Sequence, residues 1–298
     1  MEQAVFWRTI EEVETSGWFC QSMRIVQVAD AVRFTRMSTE ELRASFLIDD
    51  LFAPGEIKLA YIDLDHAIVG SVVPLAEPLT LEAQPNPHSR FFAEHREIGI
   101  LNVGDVGVVL VDGVAHDLAF LDSLYIGKGS EHITFLSLSA QSPAEYYFIS
   151  YPAHKSFPAV RVDVGHTRPV VTGSPRNADL QRNTNVIYRD GVQSCQLTMG
   201  FTEVAIGSAW NTFPPQVHKK RSEVRLYFEL KPDDRVLHLM GPPHETRHIL
   251  VGNKQAVITP SWSIHAGVGT SNYIFCWGMG GEHPAYDEPE AVPPDSLR

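Results

Sequence analysis

Short apolar runs broken by turn residues set the rhythm of this chain. The runs at 59–69, 98–103 and 106–113 are rich in β-branched residues and close on Gly, Pro, Asp or Asn, and 121–129 and 145–150 continue the series. After a gap the pattern resumes over 192–199, 203–205, 224–230, 235–240, 248–251, 255–258 and 273–277. Many short strands at turn-punctuated spacing predict a mainly β barrel or sandwich. Val111-Asp-Gly-Val114 predicts a hairpin of the Asp-Gly type. The clearest helix is predicted over 38–47, where Ser38 or Thr39 can cap a first turn that holds Glu40 and Glu41.

Residues 152–183 interrupt the series. Pro152, Pro158, Pro169 and Pro175, with Gly165 and Gly173, mark an irregular connector that is long for a plain loop, so a domain junction is expected there. The predicted organisation is an N-terminal extension with a short helix (1–50), an N-terminal barrel (51–151), the connector (152–183), a C-terminal barrel (184–282) and a surface tail rich in proline and acids (283–298). The two halves share a plan of strand, glycine turn, strand and a Gly or Pro corner. Setting 122–129 against 255–262 places His132 opposite His265. The identity is too weak to establish a repeat, and two unrelated β domains are the alternative.

Composition narrows the function. With 298 residues, 44% hydrophobic and 20% charged, the chain has ample core for a globular protein. A net charge of −12 and a pI near 5.5 argue against nucleic acid, which wants a basic face, and against an anionic membrane surface. No window approaches the ~20 apolar residues of a membrane span. Met1-Glu-Gln-Ala-Val lacks the basic stretch and apolar core of a secretion signal. Cys20, Cys195 and Cys276 are far apart, odd in number and without CxxC spacing. They predict buried thiols in a reducing cytoplasm rather than disulfides or a thiolate metal site.

The candidate chemistry lies in 210–228, completed by 260–265. On an extended strand Gln216 and His218 share a face. Glu223 opens the next apolar run, and the polar Lys219-Lys-Arg-Ser222 before it reads as a hairpin connection or a bulged bend that brings Glu223 back beside His218. His265 arrives from a later strand after a Pro-Ser corner. Two imidazoles, one carboxylate and one amide form a ligand mixture that a divalent transition metal accepts. The plainer alternative makes His218 a loop-edge residue, pairs Glu223 with Lys219 or Arg221, and leaves His265 hydrogen-bonded in the core. Spacing alone does not separate the two.

Arg96-Glu-Ile-Gly-Ile-Leu-Asn-Val-Gly104, Leu124-Tyr-Ile-Gly-Lys-Gly129, Pro152-Ala-His-Lys155, Cys195-Gln-Leu-Thr-Met-Gly200, Trp210-Asn-Thr212, Glu245-Thr-Arg-His248 and the long run from Gln255 to Thr270 stand in collinear order. Together they resemble the 5-keto-4-deoxyuronate isomerase family of sugar-acid ketol-isomerases. The resemblance implies a double-stranded β-helix (cupin) duplicated as a bicupin, with a few short helices. It also implies a divalent metal, zinc first, held by His218, Glu223 and His265, with Gln216 standing where the family has histidine. The implied reaction converts 5-dehydro-4-deoxy-glucuronate to 3-deoxy-2,5-hexodiulosonate in pectin and uronate breakdown, and the implied assembly is a homo-oligomer, a hexamer. An amide carbonyl is a weaker and harder donor than imidazole, so zinc affinity should fall and manganese or iron(II) becomes relatively more acceptable. A related isomerase with another substrate, or a metal-free sugar-acid binding protein, are the alternatives.

Aldose–ketose isomerisation passes through an enediol, which a cation on neighbouring oxygens stabilises, and it needs a base for the carbon-bound proton. Glu245 and His248 are the catalytic candidates. Otherwise they serve as an ion pair with Arg247 or as a hydrogen bond to a ligand histidine. Arg247, Arg182, His154 and Lys155 are candidates to bind the substrate carboxylate. Arg221 and Lys220 lie nearer the ligands but read as solvating the turn.

Overall fold

The computed structural model describes residues 23–83, 89–282 and 289–298. Cys20 and the start of the acidic tail lie outside them. The first half carries β1 (Met23–Val26), β2 (Leu47–Ile48), β3 (Ile57–Ile62), β4 (Ile68–Val72), β5 (Leu79–Thr80) and β6 (Arg96–Asn102). It continues with β7 (Gly107–Val111), β8 (Val114–Leu118), β9 (Ser123–Ile126), β10 (Ile133–Ser137) and β11 (Tyr146–Pro152). Then come β12 (Val160–Val162), β13 (Val170–Thr172), β14 (Gln181–Ile187), β15 (Thr198–Val204), β16 (Trp210–Val217) and β17 (Arg221–Phe228). The last are β18 (Val236–Gly241), β19 (Arg247–Val251), β20 (Gln255–Thr259), β21 (Ile264–Gly269), β22 (Ile274–Gly281) and β23 (Glu290–Ala291). Two short helices, α1 (Ala31–Phe34) and α2 (Thr39–Phe46), precede β2.

These strands make two barrels. A seven-stranded sheet, β1-β3-β4-β11-β6-β9-β12, packs on the four-stranded β5-β10-β7-β8, and their inner faces enclose an apolar core that includes Ile98, Ile100, Phe135 and Phe148. A second seven-stranded sheet, β13-β14-β15-β22-β17-β20-β2, packs on the five-stranded β19-β18-β21-β16-β23. Adding eleven to each strand number from β3 to β11 turns the first barrel's order into the second's. The duplication that residue identity left open is therefore plain in the topology. The outer faces of the two seven-stranded sheets meet in a shared core of Tyr147, Ile149 and Tyr151 against Val224, Leu226 and Cys276.

Local chemistry explains the joints. Asp112 and Gly113 take positive φ (49° and 84°) and join the paired strands β7 and β8, as the Asp-Gly signal predicts. Ser38 caps α2 through Glu41 N while the Glu41 carboxylate takes Ser38 N, a reciprocal capping box. Several expectations are corrected. The run 59–69 is not one strand, because Asp63-Leu-Asp-His66 folds into a turn between β3 and β4. The run 192–199 enters the sheet late, at Thr198, because the amides of Cys195, Gln196 and Leu197 are taken by Glu97 of the first barrel. The connector lends a strand to each barrel, β12 to β9 and β13 to β14, and the N-terminal extension pairs β2 with β20 of the distant barrel. Glu290 and Ala291 of the tail return as β23 beside β16.

Candidate metal centre

The second barrel holds a partly polar cavity beside an apolar cluster, and strand alternation dictates which residues reach it. On β17, Arg221, Glu223 and Arg225 face a cavity of about 770 Å³, while Val224, Leu226 and Phe228 face the core between the barrels. Gln216 on β16 pairs directly with His265 on β21, so their side chains share a face, and His218 follows two residues later. Register shifts between Asn211 and Gln216, which re-aims this end of the strand. Residues 218–221 do not close a hairpin. β16 pairs with β21 and β23, β17 with β20 and β22, and the turn carries the chain from one sheet to the opposing one. That crossing sets Glu223 across the barrel mouth from the strand pair bearing Gln216 and His265.

The ligand atoms of His218, Glu223 and His265 all lie within 4.8 Å of one another. Glu223 Oε2 is 3.8 Å from His218 Nε2 and 3.4 Å from His265 Nε2, and the two imidazoles are nearly parallel with centroids 5.2 Å apart. All three residues are buried. Burial first, then the Arg225 guanidinium and the imidazoles of His218 and His238, push His265 well below the usual histidine range, which keeps it neutral. His265 Nε2 is buried without a hydrogen-bond partner among the described residues. An orphaned nitrogen of this kind beside a carboxylate oxygen and a second imidazole fits a shared divalent cation, which supplies the missing partner.

Behind the triad runs a buried polar network. Arg225 Nε donates to Glu223 Oε1 at 2.5 Å, and Nη1 donates to Asn211 Oδ1 at 2.8 Å and Thr212 Oγ1 at 3.0 Å. Burial opposes the Arg225 charge, but Glu223 and Tyr227 together outweigh it and the guanidinium's pKa is raised. Asn211 Nδ2 donates to the Tyr273 hydroxyl at 2.6 Å. Gly267, in register with Asn211, leaves room for this amide, since a Cβ there would lie 2.5 Å from Asn211 Nδ2. The Tyr227 hydroxyl lies 2.8 Å from His238 Nδ1. Burial and Arg225 lower His238 to about 3.

The other predicted residues are placed elsewhere. Glu245, Arg247 and His248 do not line the cavity. Arg247, on edge strand β19, donates to Met37 O and Thr35 O ahead of α2 and lies 3.5 Å from the Glu245 carboxylate, and His248 is exposed. The Arg247–Glu245 contact is the ion pair that one reading of this motif expected. Arg182 faces away from its cavity-lining neighbours Gln181 and Asn183 toward Glu203, 3.8 Å distant. His154 is exposed, and the Lys155 ammonium sits 4.7 Å over the Phe157 ring. Lys219 and Lys220 pair with Glu290 and Glu282 at the surface. Arg221 is buried rather than solvating the turn, and it donates to Thr198 Oγ1, Gln196 O and Met279 O. Glu223 pairs with Arg225, which sequence reasoning passed over. Its position two residues beyond Glu223, on the same strand face, was the available signal.

Comparison with known proteins agrees with this architecture. The model of the KduI/IolB family matches residues 70–291. A protein of Caldicellulosiruptor bescii named 4-deoxy-L-threo-5-hexosulose-uronate ketol-isomerase is 44% identical over 266 residues, covering 89% of this chain and 96% of its own. One of the same name from Halalkalibacterium halodurans is 43% identical over 88% of this chain and 95% of its own. Among solved structures, an IolB-like protein from Salmonella typhimurium LT2 superposes with a TM-score of 0.65 at 12% identity, covering 83% of this chain and 96% of its own. That likeness concerns the fold.

Proposed function

The chain belongs to the KduI/IolB family, and from that premise we propose that it is a ketol-isomerase converting 5-dehydro-4-deoxy-D-glucuronate to 3-deoxy-D-glycero-2,5-hexodiulosonate in uronate catabolism. The observation that carries this reading is 44% identity sustained over 89% of the chain to a ketol-isomerase of that class. The cavity of about 770 Å³ has room for a six-carbon sugar acid.

His218, Glu223 and His265 are the residues that would hold a divalent metal, with the Gln216 carbonyl as a fourth donor. When bound, such a metal supplies a Lewis acid that polarises the substrate carbonyl and stabilises the charge of the enediolate. We assign zinc, with the amide donor drawing the preference toward manganese or iron(II). His265 contributes a neutral nitrogen, and Arg225 fixes the orientation of the Glu223 carboxylate. Arg221 and Arg225, rather than Arg182, Arg247, His154 or Lys155, are the guanidiniums on the wall of the cavity that a carboxylate-bearing substrate would enter. Phe275 and Trp277 supply apolar wall that limits water. We place the enzyme in the cytoplasm as a homo-oligomer, a hexamer by resemblance. Cys195 and Cys276 are free and buried, and no helix among the described residues is long and apolar enough to cross a membrane.

Incubating the purified protein with the pectin-derived ketouronate and following the sugar by NMR tests the reading. Conversion to the diulosonate is expected with zinc, manganese or iron(II) supplied. No turnover with any of the three would overturn it.

A further inference from the structure

The first barrel repeats the strand order of the second, but among the described residues the grouping of metal-ligand side chains lies in the second alone. His132, set opposite His265 by the sequence, is exposed. What the first barrel supplies is a contact beside a ligand. Asp65, in the turn between β3 and β4, reaches β17, where its Oδ2 accepts from Ser222 Oγ at 2.5 Å and from Ser222 N at 3.3 Å. Ser222 is buried and immediately precedes Glu223. Pairing of β17 with β20 begins only at Glu223, opposite Thr259, so the Ser222 amide lies beyond that neighbour. The Asp65 carboxylate takes the place of the missing strand.

The turn that carries this carboxylate is held firmly. Asp65 and His66 both have left-handed backbone, φ 52° and 51°, which is costly for residues other than glycine and persists where surrounding contacts fix it. Those contacts are Ile62 N to Ala67 O at 2.9 Å, Arg96 Nη2 to His66 O at 2.6 Å, and the Tyr61 hydroxyl 2.7 Å from His66 Nδ1. Gly280 of β22, opposite Ser222, lets the Tyr151 ring of the first barrel close on the sheet, since a Cβ there would lie 2.1 Å from that ring. Glu223 is thus set from two directions, its carboxylate by Arg225 and its backbone through the residue before it. A ligand already in place binds an ion more tightly than one that must be ordered on binding. Resting on the metal reading above, we propose that the first barrel is a template for the metal centre, and that Asp65 is the positioning residue through which it presents Glu223 to the ion. Asp65 does not line the cavity, so it acts through Ser222 alone.

A mere tie between barrels has a different signature, because its loss lowers stability and leaves the metal affinity of the folded protein unchanged. The test is calorimetric titration of metal-free protein with Mn²⁺, beside thermal unfolding without metal. Asp65→Gly suits the left-handed turn and removes only the carboxylate, and it should bind Mn²⁺ about tenfold more weakly than wild type. Asp65→Asn keeps a carbonyl that accepts from Ser222 and tolerates this conformation, so it should stay within about threefold of wild type. Ser222→Ala should weaken Mn²⁺ binding in the same direction, and the double variant should bind no more weakly than Asp65→Gly alone. Wild-type Mn²⁺ affinity in folded Asp65→Gly overturns the positioning role, as do additive losses in the double variant. Where Asp65→Gly does not fold, Ser222→Ala decides by the same criterion. Absence of both Mn²⁺ and Zn²⁺ binding by the wild type instead overturns the metal reading, and the positioning with it.

Discussion

At the scale of single residues, His265 carries the centre's main energetic debt. An unsatisfied buried polar group costs about 1–3 kcal/mol, and its Nε2 is in that state next to Glu223. A cation bound there relieves this in the folded state alone, so it should raise stability by mass action, about 2.7 kcal/mol at a hundredfold excess over its Kd. Thermal unfolding with and without Zn²⁺ or Mn²⁺ reads this directly. Wild type should shift upward, His265→Asn should lose most of the shift, and His248→Ala should retain it, because His248 is exposed on β19 away from the cavity. His248→Ala should also keep turnover within about twofold, since a general base must come within hydrogen-bond reach of the proton it takes. In the motif Glu245-Thr-Arg-His248, charged residues close together suggested chemistry in the sequence, and in the structure Arg247 ties the chain before α2 to the barrel edge.

At the scale of elements, small polar signals proved dependable where they act locally. The capping box of Ser38 and Glu41 starts α2, whose buried Leu42 and Phe46 pack with Phe34 of α1 and with Met240 and Ile249 on the second barrel. α2 then leads directly into β2, the last strand of the seven-stranded sheet that carries Glu223. Ser38→Ala should therefore cost about 1 kcal/mol of stability, the usual loss for a cap. Chemical denaturation of the two proteins checks this, and an unchanged midpoint would show that packing alone holds the helix. The turn at 218–221 was harder to read. A polar turn between two strands looks alike whether it returns to the same sheet or crosses to the next, since the choice is made by pairing partners far along the chain.

At the scale of the whole molecule, a buried carboxylate adds to the shared apolar core in coupling the barrels. Glu97, fully buried on β6, accepts from the Tyr125 hydroxyl and from the amides of Cys195, Gln196 and Leu197 across the junction, at 2.7 to 2.9 Å. Gln196 O in turn receives Arg221 of the cavity wall. Glu97→Ala strands three backbone donors at once and should cost about 3 kcal/mol or more. Denaturation measures the loss, and faster amide exchange at 195–197 than in β20 would locate it. Uniform exchange across both barrels would argue instead for global loosening.

Alternation of apolar and polar residues, turn chemistry and the cap were determined by the sequence itself, because each depends on neighbours within a few positions. The convergence of His218, Glu223 and His265 was legible only in part: spacing left a loop-edge histidine and a core histidine open, and it was the family resemblance that implied all three as ligands. Tertiary structure alone decided that Glu97 reaches residues about 100 positions away and that β2 crosses to the second barrel. It likewise decided that Arg225, not Lys219 or Arg221, neutralises Glu223. Each of these depends on which strand faces which, and strand pairing is set by the packing of two sheets rather than by any local pattern.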